Sequence, residues 1–156
     1  WAVPAAPAWS TFCGEVSCGM TDESRKFNAA SFYEYLKEGR LMGIRCRDCA
    51  HLSAVPRPIC PACHSREVEW SQFSGRGQLS TFTCISIVPV AMGEQGYGRN
   101  NPYCSGVVTL EEGPRISALL LGVDASNPQN IKTGIPVVLE LENLDQNKPM
   151  LAFHPA

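Results

Sequence analysis

The sequence predicts a mainly β protein, with a short N-terminal helix, a cysteine-rich metal ribbon and a five-stranded barrel in that order. Three observations point there. Two Cys-x-x-Cys pairs stand ten residues apart in CRDCAHLSAVPRPICPAC, residues 46–63. One amphipathic stretch, FNAASFYEYLKEGR, precedes them. After the turn SGRG at 74–77, short β-type runs separated by turn residues follow one another to the end. The boundaries that result are an extension at 1–19, a segment with the helix at 20–40, the ribbon at 41–70 and the barrel at 71–156.

The 156 residues suffice for one ordinary domain or for a small module joined to a compact barrel, and 44% apolar content allows a core. A net charge of −2 offers no global attraction to nucleic acid or to an anionic membrane. No run of 18 apolar residues occurs, so no transmembrane helix is expected. The opening WAVPAAPAWSTFCGEVSCG lacks a basic residue, and Pro4 and Pro7 interrupt its apolar part, unlike a signal peptide. Met20 followed by TDESRK reads as a natural start, which makes 1–19 an upstream extension that the fold does not need.

The helix is expected over about residues 29–38. Asn28 is a suitable N-cap, Phe27 and Phe32 have the spacing of a hydrophobic staple, and Gly39 suits the position past the C-terminus. Phe32, Tyr35 and Leu36 fall on one face at helical spacing, and Phe32, Tyr33 and Tyr35 put three aromatic residues in four positions. They either cover the core or dock the helix on a partner protein.

The ribbon carries the strongest chemical signal. Each Cys-x-x-Cys turn sets two sulfurs on one side of an ion, so Cys46, Cys49, Cys60 and Cys63 complete a tetrahedron. Four protein thiolates leave no position for water or substrate, and the site is therefore structural. Zinc is the expected metal, with iron as the second choice, because the ligand set does not separate them. His51 and His64 flank the site as outer residues rather than ligands. Five arginines against three acids give residues 39–70 a charge of +2, which a zinc tetrathiolate brings close to neutral.

The expected barrel strands are Gln78–Val90, Tyr103–Leu110, Arg115–Gly122, Ile135–Leu141 and Pro149–Phe153, with EEGP at 111–114 as a tight hairpin. Asp124–Gly134 has room for one helical turn. Five antiparallel strands with a longer third-to-fourth connection suggest a closed barrel of the OB kind, one of several small β-barrel options. Cys84 and Cys104 lie in apolar runs and read as free thiols acting as small hydrophobes. Together with the four paired cysteines, they point to a reducing, cytoplasmic setting.

Three motifs in this order, FYEYLKEGRLMGIRCRDCAHLSAVPRPICPAC, FSGRGQLSTFTCI and NPYCSGVVTLEEGPRI, resemble the DUF35 family. Its pattern is a rubredoxin-like zinc ribbon followed by an acyl-CoA-associated OB-fold. The resemblance spans about residues 27–154. It implies a non-catalytic partner of CoA-ester enzymes such as thiolases, 3-hydroxy-3-methylglutaryl-CoA synthases, and the aldolase and hydratase of steroid side-chain breakdown. The implied assembly is a hetero-oligomer in which ribbon and barrel pack on a thiolase-fold catalytic subunit and shape the acyl-CoA entrance.

Within that reading, the Gly-rich loop AMGEQGYGRNNP occupies the place between the first two strands where OB-folds commonly take ligands. Tyr97 offers a flat face, Arg99 a phosphate fork, and Asn100 and Asn101 amides. Arg45, Arg47 and Arg57 are weaker candidates. No nucleophile and base stand out as a catalytic pair, and no catalytic residue is nominated. Two other classes remain. A single-strand nucleic-acid binder wants a basic groove, yet five bases face seven acids after residue 71. A scaffold without ligand contact is the other.

Overall fold

The computed structural model describes residues 25–140 and 150–156. The extension read at 1–19, and the strand ends expected at Leu141 and Pro149, lie outside the described residues.

Helix α1 spans Ala29–Lys37. The Asn28 side chain accepts from the Ser31 amide at 3.0 Å, which satisfies a donor that the first turn leaves open. At the other end Gly39, at φ 76°, lets Arg40 N–H reach Tyr35 O and Gly39 N–H reach Leu36 O. Phe27 is not seen stapling Phe32. It stacks on Trp70 with ring centroids 5.1 Å apart, and the two phenylalanines enter different apolar clusters.

Strands β1 (Leu41–Cys46), β2 (Leu52–Ser53) and β3 (Val68–Phe73) form an antiparallel sheet in the order β2-β1-β3. After the turn at Ser74 and Gly75 come β4 (Arg76–Ile85), β5 (Tyr103–Leu110), β6 (Arg115–Leu120), β7 (Pro136–Leu139) and β8 (Ala152–Pro155). They close into a barrel in the order β4-β5-β6-β8-β7, with β7 returning to β4 and β6 running parallel to β8. This is an OB-fold. Along β5 the inward positions Cys104, Gly106, Val108 and Leu110 are buried and alternate with half-exposed residues, as a barrel wall requires. The 3₁₀ turn Pro128–Asn130 is the one helical turn in the β6–β7 connection.

The first barrel strand is shorter than its apolar run. It ends at Ile85, and Val90–Gly93 forms a single helical turn, α2, capped by Pro89. Proline supplies no amide to a ladder, so the run ISIVPV is not continued as strand. Ile87 and Val90 are left 77% and 80% exposed.

Ribbon and barrel share one apolar core. Phe32 and Leu36 of α1, Leu41 of β1, Ala54 and Phe73 belong to the same buried cluster as Leu79, Val108, Leu110, Val137 and Phe153. A smaller cluster of Ile44, Cys46, Cys60 and Val68, with Phe27 and Trp70 against it, lies beneath the metal knuckles.

Candidate metal centre

Each pair of cysteines sits in a tight knuckle. In the first, the Ala50 amide donates to Cys46 O at 3.0 Å, and Cys46 N–H to His51 O at 2.9 Å. The second repeats it: His64 N–H to Cys60 O at 3.0 Å, and Cys60 N–H to Ser65 O at 2.9 Å. The residue after each second cysteine must turn back on itself, which puts Ala50 at φ 58° and His64 at φ 61°, the left-handed region.

The two knuckles bring the four sulfurs within 4.8 Å of one another. Cys46 and Cys63 are 3.5 Å apart at sulfur, and Cys49 and Cys60 3.6 Å. A tetrahedral site with metal–sulfur bonds of about 2.3 Å has edges of about 3.8 Å, so the set fits one ion. Cys46 and Cys60 are buried, while Cys49 and Cys63 face outward. The expected ligands are the four the fold assembles.

The thiols show why a cation belongs there. At Cys60, the Cys63 and Ala62 amides favour the thiolate against the cost of desolvation, and bring its pKa down to about 6. At Cys63 the Ser65 amide also favours the thiolate, but the thiols of Cys49 and Cys46 outweigh it and push the pKa up to about 12. Cys49 is raised as well, in spite of the His51 amide, by desolvation and by Cys46 and Cys60. One thiolate forms readily and its neighbours resist. A divalent ion removes that repulsion. Arg47, read as a weaker ligand contact, pairs with Glu69 at 2.9 Å beside the site.

The β4–β5 loop, 86–102, holds the other singled-out residues. Tyr97 packs edge-on against Tyr103 with centroids 5.4 Å apart. Asn101 spends its side-chain amide on Gly96 O at 3.0 Å and bridges Gly98 through the backbone, so it shapes the turn. That turn presents Arg99 to solvent. On α1, Phe32 and Tyr35 are buried at 8% and 0% exposure and serve the core, whereas Tyr33 is 44% exposed. Tyr35 lies under Arg25 at 4.3 Å and meets Trp70 edge-on.

One cysteine expectation is overturned. Cys84 and Cys104 are not free thiols but a disulfide. The β4–β5 register sets them directly opposite one another, a proximity that twenty residues of separation conceal. The sequence reading also missed Glu112. Its carboxylate accepts the Ser74 amide at 2.6 Å and ties the β5–β6 hairpin to the turn between ribbon and barrel.

Comparison with known proteins agrees with this architecture. Residues 34–69 match the family model described as the ChsH2 rubredoxin-like zinc ribbon domain, and residues 70–142 the ChsH2 C-terminal OB-fold domain. A DUF35 domain-containing scaffold protein of Pyrococcus furiosus is 36% identical over 114 residues, covering 72% of this chain and 77% of that protein. A probable enoyl-CoA hydratase alpha subunit of Thermomonospora curvata is 32% identical over 127 residues. This match takes in 81% of the chain but only 37% of that longer protein. Among solved structures, a chain of the Ltp2-ChsH2(DUF35) aldolase superposes with a TM-score of 0.67 at 30% identity, covering 85% of this chain and 97% of the other. The chain belongs to the DUF35 family, in the two-part form that joins a ChsH2-type ribbon to an OB-fold.

Proposed function

We propose that this protein is a non-catalytic subunit of an acyl-CoA enzyme. The observation that carries the reading is the likeness, over nearly the whole of the other chain, to a component of the Ltp2-ChsH2(DUF35) aldolase. The hydratase-subunit relative points the same way, and the Pyrococcus relative is named a scaffold. Chemistry supports a helper role too. While the metal set is filled and the disulfide closed, no cysteine among the described residues offers a thiol nucleophile.

In this reading the metal is zinc, held by Cys46, Cys49, Cys60 and Cys63 as a closed structural site. The partner is a thiolase-fold catalytic subunit in a hetero-oligomer. Tyr33 on α1, the exposed Ile87, and Val90 at the start of α2 supply apolar contact to it. Arg99 and Tyr97 line the acyl-CoA entrance, the guanidinium toward phosphate and the ring toward adenine. No helix of the described residues is long and apolar enough to cross a membrane.

The test is affinity capture of the tagged chain from its own cell extract, followed by gel filtration and mass spectrometry. A thiolase-fold protein retained in fixed stoichiometry supports the reading. A chain that elutes alone, or with nucleic acid released at moderate salt, sinks it.

A further inference from the structure

The β4–β5 loop leaves the barrel just beyond Ile85 and returns at Tyr103, and those two residues form the last rung of the ladder. Cys84 and Cys104 occupy the rung immediately inside it, with their Cα atoms 4.0 Å apart. Among the described residues, the loop's other hydrogen bonds and ring contacts are local to it or reach only to Tyr103: the α2 turn, the Gly98–Asn101 bridge, the Asn101 contact to Gly96, and Tyr97 on Tyr103. The covalent link is thus the firmest fastening of the segment that carries Ile87, Val90, Tyr97 and Arg99.

The two sulfurs are not equally accessible. Cys104 is wholly buried and pairs with Leu120 on its other side, while Cys84 is partly exposed at the end of β4. Of the two residues Cys84 is the one nearer solvent, and the side from which we take an incoming thiolate to approach.

We propose that Cys84–Cys104 is a redox clasp, opened by a dithiol reductant, that sets the mobility of residues 86–102. One thiolate of the reductant attacks Cys84 Sγ, the disulfide bond breaks, and Cys104 leaves as a thiolate that takes up a proton. The second thiol of the reductant then attacks the mixed disulfide and frees Cys84. Two electrons and two protons end on Cys84 and Cys104, and the reductant departs as its own disulfide. Facing one another across a ladder rung, the two thiols remain placed for reoxidation by a small disulfide. The knuckle cysteines take no part while they hold metal. The inference concerns this chain alone and stands whether or not the loop meets an acyl-CoA.

The experiment uses the full chain, zinc-loaded and purified without reductant, with zinc kept in excess. Alkylation after denaturation and chelation, followed by peptide mapping, should leave Cys84 and Cys104 unlabelled, whereas a reduced control labels both. Dithiothreitol added to the folded protein should release the pair and raise cleavage within 86–102 by a broad-specificity protease about tenfold, as local opening predicts. Oxidised glutathione should reverse it, and zinc content should stay constant. A Cys84→Ser/Cys104→Ser variant should be cleaved at the fast rate with or without dithiol. Should that variant not fold, the wild-type titration decides alone. The idea is overturned if the isolated protein has no such bond, if the bond yields only after denaturation, or if cleavage in the loop is equal in both redox states.

Discussion

Ala50 and His64 hold the left-handed backbone that closes each knuckle, a conformation glycine adopts without penalty. For alanine it costs about 1–2 kcal/mol, against which glycine gives up roughly 0.5–1 kcal/mol through the entropy of the unfolded chain. Ala50→Gly should therefore raise the stability of the zinc-loaded protein by roughly 0.5–1 kcal/mol, read as an increase in Tm. Ala50→Val, with a branched Cβ at the same φ, should lower it. A Gly variant that melts earlier would show that the alanine methyl has a packing role. If the Arg99 guanidinium meets CoA phosphate, Arg99→Ala removes a charged hydrogen bond of about 1.5–3 kcal/mol. That raises KM for the acyl-CoA in the assembled enzyme by roughly tenfold or more while co-elution with the partner is unchanged. Equal KM values would take Arg99 out of the entrance.

At the scale of elements, the joint between ribbon and barrel is fastened by Glu112, whose carboxylate holds the Ser74 amide from the neighbouring hairpin. A charge-assisted bond to a backbone amide is worth about 1.5–3 kcal/mol, discounted here because Glu112 is only half-buried. Glu112→Ala should lower the unfolding free energy by about 1 kcal/mol, read as a lower urea midpoint at unchanged m, and speed amide exchange at Ser74. Unchanged exchange would mean that the shared core alone sets the joint. The same hairpin shows what a sequence can disclose. Its turn residues and the bounds of the strand Tyr103–Leu110 were readable end to end, because β-type composition and turn chemistry are local properties. The four metal ligands were readable for the same reason, two residues apart within each knuckle. What Glu112 grips, what Phe27 stacks on, and that Cys84 faces Cys104 depend on register between distant segments, which periodicity does not encode. The end of β4 was misjudged because Ile87 and Val90 look like core residues and are exposed.

Across the whole molecule, the metal supports only part of the packing. The large cluster joins α1, the start of β1, the end of β3 and the barrel without using a cysteine ligand. The cluster of Ile44 and Val68 contains Cys46 and Cys60 themselves, so it depends on the ion. Chelation should therefore speed amide exchange at the knuckles and around Ile44–Cys46 and Val68, and leave Val108 and Leu110 protected. Global unfolding, or exchange that stays unaltered, would refute this division. Acid should act through the same site, and the thiols give its direction. A ligand must be deprotonated, and in the metal-free protein Cys63 holds its proton to about pH 12 while Cys60 loses its own near pH 6. At neutral pH binding must expel protons from Cys63 and from the raised Cys49, so affinity falls as pH falls, by about tenfold per pH unit for each proton displaced. Below about pH 6 Cys60 is protonated too, and the slope steepens by a further proton. Competition with a chromophoric chelator, followed from pH 7.5 to 5.5 with a correction for the chelator's own protonation, measures that slope. A flat profile would mean that Cys63 and Cys49 are already ionised before the metal arrives, against the neighbouring thiols that hold their protons on.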